Sequence, residues 1–206
     1  MQQDHHPPIQ EFLEWQKSEQ TVRNGYRGSR EGQSVVYIPA SSVETFFKEK
    51  DRLKATLRVL FPGDEDGPDA DIIQRYYIRV FAILLEIGQG NMIARFLQLP
   101  PKFRDQSLPF DQHQEGFPLS STCDLHALFW EHQWKYCPET MIGNMGFTMN
   151  NESILPFHIE EHVDSGGSAD VYKIRVDKDY NQLNNSSVEV SLLCSTQADC
   201  HGLLYT

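Results

Sequence analysis

Cysteine is scarce in this chain. Its four copies (Cys123, Cys137, Cys194 and Cys200) are too few and too scattered for a disulfide framework, so they read as thiols. Long apolar runs are missing as well: none approaches the roughly 20 residues needed to span a bilayer. The first residues, Met-Gln-Gln-Asp-His-His-Pro-Pro, lack both the basic and the apolar stretch of a secretory leader. An intracellular location, cytoplasmic or nuclear, is the resulting expectation. Positive charge is short too. The 18 Lys and Arg stand against 29 Asp and Glu, a net −11, which argues against a nucleic-acid or membrane surface. What remains is 206 residues with 39% hydrophobic and 11% aromatic content, enough for one or two small globular domains.

Residues 1 to 34 are polar and rich in Gln, Arg and Gly, and read as a loosely ordered arm. Phe12, Leu13 and Trp15 are its candidates for docking, and Gly25, Gly28 and Gly32 are breakers. A helical domain is expected over 35 to 150. Its first helix starts at Ser41, with Glu44 completing a capping box, and runs to Leu60. Val43, Phe46, Phe47, Leu53, Leu57 and Leu60 form one apolar face that only Lys50 interrupts. A second, more buried helix follows the aspartates up to Asp71 and carries Ile72 to Leu85, stopped by Gly88 and Gly90. Asn91 is the expected cap of a short helix ending at Leu99. Four prolines make 100 to 120 an irregular connection, and a last helix starts near Ser121 or Thr122 and ends before Pro138.

From Phe157 the period changes to two. Phe157, Ile159 and Val163, then Tyr172, Ile174 and Val176, alternate with polar residues around Asp164-Ser-Gly-Gly-Ser-Ala-Asp170, which predicts a β-hairpin over 151 to 180. Residues 181 to 206 show little pattern beyond one apolar run, Val188 to Leu193, and are expected to be disordered. The fold class expected is therefore mainly α, a small helical bundle followed by a hairpin that leans on the bundle or moves freely. Two strands alone are marginal in water.

The hairpin turn is the chemically suggestive segment. A nucleotide-covering loop uses glycines so that backbone amides can approach phosphate oxygens, and a small branched residue after it to roof the base. Gly166, Gly167 and Val171 fit those roles, although Asp164 and Ala169 stand where G-x-G-x-x-G-x-V has its first and third glycines. An ordinary Gly-Gly hairpin is the other reading of the same residues.

With its flanks included, Ile154-Leu-Pro-Phe157 followed by Gly-Gly-Ser-Ala-Asp-Val-Tyr-Lys173 resembles the opening of fungal protein-kinase-like proteins. Many of these place a helical region before the kinase domain. The segment from about Tyr37 to Phe157, with Phe129-Trp-Glu-His-Gln-Trp134, is similar to that region in general character. The resemblance implies that Gly166 and Gly167 belong to the glycine-rich loop and that Val171 contacts adenine. Lys173 would sit on the second strand, whereas the catalytic lysine of the family sits on the third in a Val-Ala-x-Lys setting. The run Val188 to Leu193 falls there and holds neither Lys nor Arg. His-Arg-Asp and Asp-Phe-Gly do not occur in the 206 residues, so positioning and charge neutralisation, nearly all of phosphoryl-transfer catalysis, have no carriers. Asp164 and Asp170 would add repulsion of about 1 kcal/mol per charge pair at about 4 Å in water-like dielectric.

The implied function is the truncated front portion of a serine/threonine-type kinase-like protein with a degenerate ATP loop, inactive as written. ATP with magnesium would bind only in a longer product. The alternative is a non-enzymatic module that holds a protein partner through its helical region. No catalytic residue and no metal site are expected. Cys123, His126, His132 and Cys137 have metal-binding side chains, but their spacing fits no zinc template, and packing explains them better.

Overall fold

The computed structural model describes residues 6–27, 34–63, 67–118, 124–142, 150–165, 169–183, 190–195 and 203–205. It divides into two compact units, one formed by 1–22 with 38–136 and the other by 23–37 with 137–206.

The first unit holds the helices α1 (Pro7–Trp15), α2 (Ala40–Lys48), α3 (Arg52–Leu60), α4 (Ala70–Tyr76), α5 (Ile78–Glu86), α6 (Ile93–Phe96) and α7 (Leu125–Gln133). Prolines open α1 at its first positions, where a missing N–H is harmless. Phe12 of α1 is fully buried and stacks on Phe47 at 5.3 Å, and Trp15 lies 4.4 Å from the Phe46 ring. The single helix expected from Ser41 to Leu60 is two. It starts behind Pro39 without a side-chain cap, so the Ser41–Glu44 capping box does not form. It breaks at Lys50 and Asp51, both left-handed at φ 54° and 52°. Lys50, the one interruption in the apolar face, marks that break. Arg52 mends it by donating to the Phe46 carbonyl and to Glu49 and Glu11, with its guanidinium 4.5 Å from the Phe46 ring.

The second expected helix is also two, parted at Tyr77. Asp69 caps α4 by accepting from the amides of Asp71 and Ile72. The cap of α5 comes from far along the chain: Asp105 accepts from the amides of Arg79 at 3.0 Å and Val80 at 2.9 Å. Seven of the nine α5 residues are buried, so this helix is the centre of the unit. Asn91 caps nothing; it lies inside a 3-10 turn, Gly90–Met92.

The proline-rich connection is built on phenylalanine. Phe96, Phe103, Phe110 and Phe117 converge on Phe129 of α7, with ring centroids 5.4 to 5.9 Å from it for three of the four. Buried Gln133 completes the arrangement, accepting from the Phe110 amide at 2.7 Å and donating to its carbonyl at 2.9 Å.

The second unit holds β1 (Arg23–Arg27), β2 (Ser34–Tyr37), β3 (Met141–Ile142), β4 (Ile154–Leu155), β5 (Phe157–Ser165), β6 (Ala169–Val176), β7 (Asn181–Gln182), β8 (Val190–Ser195) and β9 (Leu203–Tyr205). They form a sheet of order β2-β1-β4, a parallel pair β3-β7, and a sheet of order β5-β6-β8-β9. Met141, Leu155, Phe157, Ile174 and Leu183 make its core, with Tyr26, Tyr172 and Val176 packed against them.

The mainly α expectation is therefore overturned: the protein is mixed α/β with several small sheets. Among the strands that sequence reading missed, β3, β4 and β7 are two residues long and β1 and β2 form a local hairpin of only five and four residues, too short to show a clear alternation in a sequence window. The arm expected over 1–34 contributes α1 to one unit and β1 to the other. The hairpin does not stand alone, because β8 pairs along β6, and strands run at 190–195 and 203–205 in the segment expected to be patternless. Among the described residues, no helix is long and apolar enough to cross a membrane.

Candidate functional site

The glycine hairpin is closed by the Ser165↔Asp170 pair, and Gly166 and Gly167, named as loop residues, lie outside the described residues. Val171 stands on the middle strand, opposite Asp164 on β5 and Leu193 on β8. Lys173 pairs with Glu161 on one side and Ser191 on the other. The register slips between Ile159 and Glu161 and again between His162 and Asp164, so β5 is bulged twice. Beyond Ile159 the residues of β5 are exposed on both faces as far as Asp164, while Phe157 and Ile174 at the base are buried.

That base is held by a polar clamp that the sequence did not advertise. Asp177, directly after β6, accepts from the Arg23 guanidinium of β1 and the Tyr37 hydroxyl of β2, and its amide donates to the Pro156 carbonyl at 2.8 Å. Burial raises the Asp177 carboxyl, but the Tyr37 and Arg23 hydrogen bonds outweigh it and hold the group below the usual carboxylate range. Arg23 also reaches Asp179 at 3.0 Å. Gly25 of β1 makes the approach possible, since a Cβ there would lie 2.7 Å from the Leu155 carbonyl oxygen and 3.0 Å from Ile154. The available signal was the polar turn Asp177-Lys-Asp179, which reads in sequence only as the end of a strand.

No protein-family model, curated protein or solved structure matches the chain.

A second polar constellation lies in the helical unit, also unforeseen. Oε1 of Glu86 in α5 is 3.3 Å from both Nδ1 of His132 and Nζ of Lys135, and Oε2 takes the Tyr136 hydroxyl at 2.5 Å. Gln16, buried just after α1, accepts from Lys135 at 3.2 Å, and its Oε1 lies 2.7 Å from the Tyr136 hydroxyl oxygen. Burial pushes the Glu86 carboxyl up, yet His132, Lys135 and Tyr136 bring it below its ordinary range. His132 is raised in turn, chiefly by its hydrogen bond to Glu86, against the effect of burial. A carboxylate occupied by three donors has little proton affinity left for general-base work, so this cluster ties α1 to α5 and α7. It also accounts for His132. His126 stacks on Phe117 at 4.5 Å and meets the Asp111 carbonyl at 3.1 Å, and Cys137 is buried. Cys123 lies outside the described residues. Among those described, no group of three metal-binding side chains converges.

Proposed function

We propose that the chain is the front part of a serine/threonine-type protein-kinase-like protein, with a degenerate nucleotide loop and no phosphoryl-transfer machinery in these 206 residues. The observation that supports this reading is the order β5-β6-β8, three antiparallel strands in succession with the glycine turn between the first two and Val171 on the middle one. That is the arrangement a kinase lobe opens with, and the sequence resemblance around 154–176 points the same way. The third strand, Val190–Ser195, carries no lysine, and Asp164 is an exposed carboxylate beside the loop. ATP with magnesium accordingly gains nothing here, and any enzymatic activity belongs to a longer product. An intracellular setting fits a nucleotide-related lobe.

Two measurements test it. Transcript sequencing through the codons for Asn184 to Thr206 and beyond should find a lysine-bearing third strand, His-Arg-Asp and Asp-Phe-Gly; their absence from every frame overturns the kinase reading. Thermal unfolding of the chain with ATP and magnesium should show no shift, whereas a ligand at about 100 times its Kd would add about 2.7 kcal/mol. Such a gain would overturn the degenerate half of the proposal. A second reading, in which the helical unit holds a protein partner, draws on the open groove of about 340 Å³ lined by Trp15, Thr45, Phe46 and Arg52. It would be preferred if substitutions in that groove abolished a partner's binding while the hairpin could be altered freely.

A further inference from the structure

We propose that the outer edge of β5, from Ile159 to Asp164, docks an extended peptide that alternates apolar and basic residues. This goes beyond the nucleotide reading, which concerns the turn and the sheet face rather than the edge.

The chemistry of the partner is written on the inner edge of the same strand. There β5 pairs with β6, whose run Val171-Tyr-Lys-Ile-Arg-Val176 alternates apolar and basic side chains. The register sets Glu161 opposite Lys173, and the Glu160 carboxylate lies 3.3 Å from Nε of Arg175. Opposite charges facing each other across strands stabilise a sheet, and like charges destabilise it. A strand of the β6 kind is therefore the complement that β5 already accepts. On its other side β5 is the end of the order β5-β6-β8-β9, so among the described residues its outer edge has no neighbour within that sheet. An edge strand is a template for a further strand.

Two apolar side chains stand uncovered along that edge, Ile159 at 39% and Val163 at 56% exposure, and Val163 is the most exposed large hydrophobic residue described. They offer anchors beside the carboxylates of Glu160 and Glu161. The acidic lining also disfavours the other occupants. A second copy pairing β5 to β5 would bring carboxylate against carboxylate, and nucleic acid would be repelled. The two bulges interrupt the ladder, which restricts the contact to a short peptide and guards against long edge-to-edge assembly.

The test uses the full chain and three capped hexapeptides: Val-Tyr-Lys-Ile-Arg-Val, its charge-reversed form Val-Tyr-Glu-Ile-Glu-Val, and the basic peptide N-methylated on alternate amides. Binding is read by fluorescence anisotropy and by amide hydrogen exchange. The basic peptide should bind and slow exchange across 159 to 164, with each control weaker by about tenfold or more. The double substitution Glu160→Lys with Glu161→Lys should reverse the preference between the charged peptides. Should that variant fail to fold, the three peptides on the unaltered chain decide the matter alone. Failure of the basic peptide to bind, equal binding of either control, or slow exchange at β5 in a self-associated chain without peptide would each overturn the proposal. None of these outcomes depends on whether ATP binds.

Discussion

Replacing Asp105 by asparagine should flatten the pH dependence of stability between about pH 4 and pH 7. Asp105 sits in the 3-10 turn Asp105–Ser107 and caps α5 from a distance through the amides of Arg79 and Val80. Burial pushes its carboxyl up from 3.8 to about 6, more strongly than those amides and the Arg79 guanidinium pull it down. An acid that binds its proton more tightly in the folded chain stabilises the fold while protonated. That contribution is complete below pH 3.8 and disappears as the pH climbs through about 6. Each tenfold gain in proton affinity on folding is worth about 1.4 kcal/mol, so the whole contribution amounts to roughly 3 kcal/mol. Asparagine cannot ionise, but its single amide oxygen can accept from only one of the Arg79 and Val80 amides, which Asp105 serves with one oxygen each. The variant should therefore start below the parent near pH 4, having lost one cap bond, and gain on it by up to roughly 3 kcal/mol between about pH 4 and pH 7. Asp105→Ala, which removes the cap altogether, should be less stable than Asp105→Asn by about 1–2 kcal/mol throughout. Urea denaturation followed by tryptophan fluorescence at intervals of pH measures all three. Parallel curves for the parent and the asparagine variant would refute the reasoning, because the carboxyl would then titrate alike in the folded and unfolded chains.

Two further substitutions probe the two units separately. Gln133→Ala leaves a buried N–H and a buried C=O of Phe110 without partners, and should reduce unfolding free energy by about 2–4 kcal/mol in the same assay; a loss under about 0.5 kcal/mol would mean the loop repacks around water. Gly25→Ala drives a Cβ to within 2.7 Å of the Leu155 carbonyl oxygen, and should cost about 1–3 kcal/mol while lowering protection of the Tyr26 and Arg27 amides from hydrogen exchange. Unchanged protection would show that β1 does not pair with β4.

Much of the helical unit could be read from spacing, and the reasons for the misreadings are local. The apolar face of α2 continues into α3 because the left-handed pair at Lys50 and Asp51 redirects the chain without destroying the three- and four-residue rhythm of buried positions. Periodicity records which side chains are buried, not whether each hydrogen bond of the helix survives. Asp69 was legible as a cap because its amides are two and three residues away, whereas Asp105 was not, since it serves amides more than a helix length distant. Phenylalanine at 96, 103, 110 and 117, an even step of seven within a proline-rich stretch, was a signal overlooked. It is invisible to a search for helix or strand periods because the segment between is neither. The hairpin over 157–176 was legible from its alternation. Its clamp was not: Arg23, Tyr37 and Asp177 are separated in sequence and meet only through the fold.

The distance along the chain between Arg23 and Asp177, 154 residues, has a consequence for how the protein is made. At about 5–20 residues per second, the ribosome releases the stretch 23–37 on the order of ten seconds before the segments that it pairs with. Through that interval α1 and the later helices can assemble while an orphaned hairpin waits between them. A fragment cut near residue 150 would strand it permanently, and one begun there would be born without its clamp. Dissecting the molecule by consecutive stretches of sequence is therefore the wrong way to divide it.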